Sequence, residues 1–168
     1  MTPAELLTDS FARLPAIASR AVAGLDVDRL ATQPEPGANT IAWLVWHTAR
    51  GQDVQIAALA DTDEVWTAEG WAARFALPLD DAEMGYGMDA SEVEKVRASA
   101  DLLTGYLQAV TDRTSSYLAE LDAAALDRVV DENWSPPVTA GVRLSSILGD
   151  CLQHAGQASY VRGLLDRQ

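Results

Sequence analysis

The sequence predicts an all-α protein, a four-helix bundle whose long helices are joined by one short and two long connections. Three observations carry this prediction. Apolar residues recur every three to four positions over four long segments, each of these segments opens on a residue able to cap a helix, and strand-like alternation is nearly absent. A length of 168 residues suits one domain over 1–168, large enough to bury a core without disulfides or structural metals.

Thr2-Pro3-Ala4-Glu5 has the form of a capping box, and Leu7, Phe11, Leu14, Ala18, Ala21 and Leu25 then follow at helical spacing. This predicts a first helix ending near Gly24. Residues 26–38 hold at most one short turn before Pro34-Glu35-Pro36-Gly37 breaks the chain. Asn39 is the expected cap of a second helix, in which Ile41, Leu44, Val45 and Thr48 form a stripe widened by Ala42, Trp43 and Trp46. Being apolar around most of its circumference, that helix should be deeply buried. From about 61 to 89 runs a long crossover with Trp66, a short helical piece at Trp71 to Phe75, and the stretch Gly85-Tyr86-Gly87. Asp89 and Ser91 are caps for a third helix over 91–121, with Val96, Ala100, Leu103, Leu107, Val110, Thr114, Tyr117 and Leu121 on its buried face. After the irregular Trp134-Ser135-Pro136-Pro137, Thr139 caps a fourth helix with the stripe Leu144, Leu148, Cys151, Ala155, Ala158 and Leu165.

Charge excludes several functions. Lys and Arg number 12 against 25 Asp and Glu, a net charge of −13, so the surface repels the phosphates of nucleic acids and anionic membranes. No apolar run approaches the roughly 18 residues of a membrane span. The single cysteine, Cys151, excludes an intramolecular disulfide, and the first residues lack the basic and apolar regions of a signal peptide, so a cytoplasmic protein is expected.

The chain has only two histidines, His47 and His154, each in the middle of an apolar helix. Taken singly, either is an ordinary core histidine. Asp150, however, lies four residues before His154, on the same helix face and about 6 Å from it, the separation two ligands of one ion need. An aspartate in that stripe is otherwise a costly buried charge. Packing the second helix on the fourth would add His47, and two imidazoles with one carboxylate suit a divalent first-row metal that keeps open coordination positions.

Trp43-Leu44-Val45-Trp46-His47-Thr48-Ala49-Arg50-Gly51-Gln52-Asp53 and Asp150-Cys151-Leu152-Gln153-His154-Ala155-Gly156-Gln157-Ala158 resemble the two signature helices of the DinB-like superfamily. The intervening Trp66 to Phe75 and the final Tyr160 to Leu165 extend the likeness over nearly the whole chain, toward the actinobacterial branch similar to mycothiol-dependent maleylpyruvate isomerase. The resemblance implies a DinB-like four-helix bundle holding a zinc-class or nickel-class metal through His47, Asp150 and His154. Asp150 departs from the pattern, since that position is His in much of the superfamily and Glu in the mycothiol branch. The implied chemistry is a metal-dependent S-transferase or isomerase reaction joining a small-molecule thiol, mycothiol or a similar one, to a small electrophile. A non-catalytic metal or small-molecule binding bundle with a stress-related role is the alternative, and a metal-assisted hydrolase a third reading.

Beside the three ligand candidates, Gln157 could orient a ligand or the substrate, and Arg50 could attract an acidic group of a substrate or pair with a buried carboxylate. Asp53, six residues beyond His47, is a further candidate for supporting the ligands or binding substrate. Trp66, Trp71 and Tyr86 could wall the site or simply pack over the bundle. Cys151 is the rival sulfur, but it points about 100° away from Asp150 into the apolar stripe, where it reads as inert. The resemblance also favours a homodimer, for which Leu102 and Tyr106 are a candidate apolar patch unless they pack beneath the 61–89 crossover.

Overall fold

Pro15 decides the first element of the computed structural model, which describes residues 1–167. Its nitrogen has no hydrogen to give the Phe11 carbonyl, so the one expected helix is two, α1 (Pro3–Phe11) and α2 (Leu14–Val22). The Thr2 and Glu5 capping box forms as expected. Phe11, Leu14, Ala18 and Ala21 still share one buried face across the break.

After the short α3 (Val27–Leu30), α4 (Ile41–Ala60) is capped by Thr40 rather than Asn39, the Thr40 hydroxyl accepting from the Trp43 amide at 3.1 Å. Residues 41 to 53 are all buried, because α4 lies at the centre of the bundle against α8 (Ala100–Ala119) and α9 (Ala140–Leu165). The crossover holds α5 (Val65–Ala68), the expected α6 (Trp71–Phe75) and α7 (Ala90–Val93).

The expected third helix over 91–121 is therefore interrupted. Asp89 and Glu92 close a capping box on α7, which stops after one turn, and Ser99 offers a second start, its hydroxyl accepting from the Leu102 amide at 3.3 Å. The link between them buries Val96 and Ala98. Beyond α8, an unexpected hairpin pairs β1 (Val129–Asp131) antiparallel with β2 (Val138–Thr139), with Trp134 to Pro137 at its tip. Strands this short carry no readable alternation. Thr139 caps α9 as expected.

Of the two places expected for Tyr106, an association patch or a contact beneath the crossover, the structure has the second. Tyr106 is fully buried beneath the crossover, its ring against Trp66, Trp71 and Phe75, and Leu102 is half-buried. Among the described residues, no helix is long and apolar enough to cross a membrane.

Candidate metal centre

α4 and α9 run antiparallel: the Cys151 sulfur lies 3.8 Å from the Thr48 carbonyl, and Gly51 faces the Asp150 carboxylate. This register brings His47 level with the turn of α9 that carries Asp150 and His154. One ligand atom from each of the three residues lies within 4.8 Å of the other two. The imidazoles of His47 and His154 meet edge to face at 4.7 Å between ring centroids, and His154 Nε2 lies 3.5 Å from Asp150 Oδ1. Atoms this close have only to shift slightly to share one ion at about 2.0–2.2 Å each.

Both imidazoles are held by the nitrogen that a metal would not use. His47 Nδ1 donates to the Met84 carbonyl at 2.5 Å, and a carbonyl can only accept, so the Nδ1 proton is fixed and Nε2 keeps its lone pair. His154 Nδ1 likewise lies 3.0 Å from Gln157 Oε1, one turn along α9. Such outer partners set the tautomer and orientation that a metal-ligating histidine needs. Trp43 stacks on His47 at 4.6 Å, nearly parallel, and its Nε1 donates to the Met88 sulfur at 3.3 Å. Burial lowers the His47 pKa and the nearby His154 adds to this, while the Met84 hydrogen bond and the Asp150 carboxylate oppose them. The net effect favours the neutral imidazole, the form that binds metal. Opposite this buried wall the cluster is open: the Asp150 side chain is 47% exposed.

Met84 was invisible to sequence reasoning, since it acts through its backbone carbonyl. The signal that could have found it is Gly85-Tyr86-Gly87. Gly85 has φ +95°, and a Cβ there would sit 2.7 Å from His47 Nδ1, so only glycine lets this loop lie on the imidazole. Glu83 braces the same turn, its Oε1 accepting from the Met84 and Gly85 amides at 2.9 Å each.

Arg50 and Asp53 are fully buried one and two turns beyond His47, and they hold the crossover. Arg50 donates to Glu64 at 2.7 Å, to the Glu83 carbonyl at 3.1 Å and to the Asp81 carbonyl at 3.3 Å. Asp53 accepts from the Val65 and Trp66 amides at 2.9 and 2.8 Å and from the Tyr106 hydroxyl at 2.7 Å. Trp66 and Trp71 pack with Tyr106 over the bundle and do not wall the cluster, whereas Tyr86 is exposed beside Gly85. Cys151 is buried, and that burial pushes its thiol pKa far up.

An all-α bundle with two imidazoles and a carboxylate converging between its second and fourth long helices defines a class, the helical bundles with a candidate divalent-metal centre. The chain belongs to the DinB superfamily, whose family model matches residues 10–158. It is also similar to the crystal structure of a conserved protein from Enterococcus faecalis, with 37% identity, a TM-score of 0.93, and coverage of 100% of this chain and 99% of that one. No curated protein matches the chain.

Proposed function

We propose that His47, Asp150 and His154 hold a divalent metal of the zinc or nickel class. On this reading the protein is a metal-dependent S-transferase or isomerase that joins a low-molecular-weight thiol, of the mycothiol type, to a small electrophile. The observation that carries the reading is the pair of anchored Nδ1 atoms, which leaves two Nε2 lone pairs beside one carboxylate. A divalent ion bound there would supply Lewis acidity and keep a coordinated thiol deprotonated.

The chain's own residues divide the remaining work. The Met84 carbonyl and Gln157 orient the imidazoles, and Trp43 covers the inner face of His47 against water. The half-exposed Asp150 leaves an approach for thiol and electrophile. Glu83, the other carboxylate whose charge acts on His47, is committed to its own loop amides and is not a free base. A thiol would need no general base at such a site, since coordination itself would deprotonate it. A half-exposed Asp150 also fits a non-catalytic metal-binding bundle, which is the second reading. Elemental analysis of protein purified without chelator, followed by transfer assays with a panel of thiols and electrophiles, tests both. Metal near one per chain with thiol-dependent turnover supports the transferase, metal without turnover supports the binding bundle, and no uptake of zinc or nickel ends both.

A further inference from the structure

We propose that the cavity between α4, β1 and the start of α9 binds the oxyanion end, carboxylate or phosphate, of a small molecule. The cavity measures about 490 Å³, and the residues lining it include Val54, Gln55 and Ala58 of α4, Val129 of β1, and Arg128 and Arg143. That is the size of an ordinary small-molecule site, apolar with a few placed polar groups. Its charge runs against the rest of the protein. In a chain of net charge −13, the residues lining this cavity include two arginines and no acidic side chain.

The two guanidinium groups are held in place without being used up. Arg143 donates one N–H, from Nη2, to Asp131 Oδ2 at 3.0 Å, between the first turn of α9 and the hairpin. Arg128 gives one N–H to the Leu59 carbonyl at 3.0 Å, and among the described residues it has no carboxylate within ion-pair distance. A guanidinium carries five donors in a planar fork, so each arginine retains N–H groups of the geometry that carboxylate and phosphate oxygens match. Anchored donors also lose less side-chain entropy when a ligand arrives.

The cavity lies on the same seam as the metal cluster. His47, Gly51, Gln55 and Ala58 follow one face of α4, and Arg143 and Asp150 are two turns apart on one face of α9, about 10 Å at 1.5 Å per residue. Resting on the metal reading above, an anion seated on Arg128 and Arg143 would lay the rest of a ligand along this seam toward Asp150 and His154. The oxyanion site itself does not depend on that reading.

The test is titration of nitrogen-15-labelled protein with succinate and, separately, with inorganic phosphate, read from amide shifts. Saturable shifts at Val54, Gln55, Ala58 and Val129 are expected. Arg128→Gln and Arg143→Gln should each weaken binding by about tenfold or more, the scale of one charge-assisted hydrogen bond. Response to succinate alone identifies a carboxylate ligand, and response to phosphate alone identifies a phosphate ester. Zinc affinity should be unchanged in Arg128→Gln, and succinate or phosphate binding unchanged in His154→Ala, so the two sites fail separately. If neither anion moves these amides, or if Arg128→Gln binds as tightly as the parent, the proposal is overturned. Should a variant fail to fold, the amide shifts of the unmutated protein still decide between binding and none.

Discussion

Arg50 and His47 stand one turn apart on α4, both buried, and each is the root of a polar cluster, yet the two clusters are finished differently. Around Arg50, the guanidinium, the Asp53 carboxylate and the Tyr106 hydroxyl donate and accept among themselves and to the crossover backbone. Burial raises the Asp53 and Tyr106 pKa values, and the hydrogen bonds offset that cost for Asp53. Around His47, Nδ1 is tied down and Nε2 is left beside Asp150 and His154. The difference separates a clamp from a site. Burial and charge are common to both, and the second is marked as a place for a ligand by its convergent donors, which among the described residues have only one another beyond the anchored Nδ1 atoms.

The largest expected effect breaks the closed cluster. Asp53→Ala strands Arg50 beside one remaining carboxylate and frees the Val65 and Trp66 amides, so it should cost about 3–5 kcal/mol in urea denaturation. A cost below about 1 kcal/mol would show that the clamp contributes little. His154→Ala should do the reverse. Zinc affinity falls by about 100-fold or more, while circular dichroism keeps its helical signal and metal-free stability stays within about 1 kcal/mol. Loss of helix in that variant would make the metal structural.

Gly85 and Gly87 allow a finer cut, because both have positive φ and only Gly85 lies against His47. Gly87→Ala should show backbone strain alone, about 1 kcal/mol. Gly85→Ala adds the clash with the imidazole, so it should cost about 2–3 kcal/mol and also lower zinc affinity, which Gly87→Ala should leave intact. Equal zinc affinities in the two variants would remove the loop from the site.

Acid should act on the open cluster through His47. Its folded pKa lies below the ordinary 6.5, mainly through burial, so above that value both folded and unfolded chains carry it neutral and pH has no effect through this residue. As pH falls below 6.5, the unfolded chain takes up the proton first and stability declines. Urea midpoints of the metal-free protein at about pH 7.5 and about pH 5.5 should differ less in His47→Gln than in the parent. An equal difference in both would assign the acid response elsewhere.

Much of this architecture is legible in the sequence, and the failures share a cause. Spacing placed the four long segments and put Asp150 and His154 on one face, because a helix repeats its own geometry. It could not bring in Met84, whose contribution is a carbonyl common to every residue. Nor does spacing choose between a surface patch and a buried contact for Tyr106, because a crossover that covers a helix face leaves no mark on that helix's periodicity. Breaks were harder than faces: Pro15 split the first helix and Ser99 restarted the third, where competing caps had to be weighed against burial.

The smallest effect falls on Cys151, which sits between the two clusters. It follows Asp150 by one residue, so the helix turns it about 100° away from the metal ligands and into the core. There its sulfur lies 3.8 Å from both the Thr48 carbonyl and Gln52 Oε1. Burial, with the Asp150 charge adding to it, pushes the thiol pKa far above the ordinary value, so almost no thiolate exists at neutral pH. Cys151→Ala should therefore cost about 1 kcal/mol for the lost sulfur volume and leave zinc uptake and thiol transfer unchanged. In the parent, iodoacetamide should modify Cys151 only after denaturation. Loss of transfer activity in Cys151→Ala with zinc retained would make this sulfur, rather than an incoming thiol, the nucleophile.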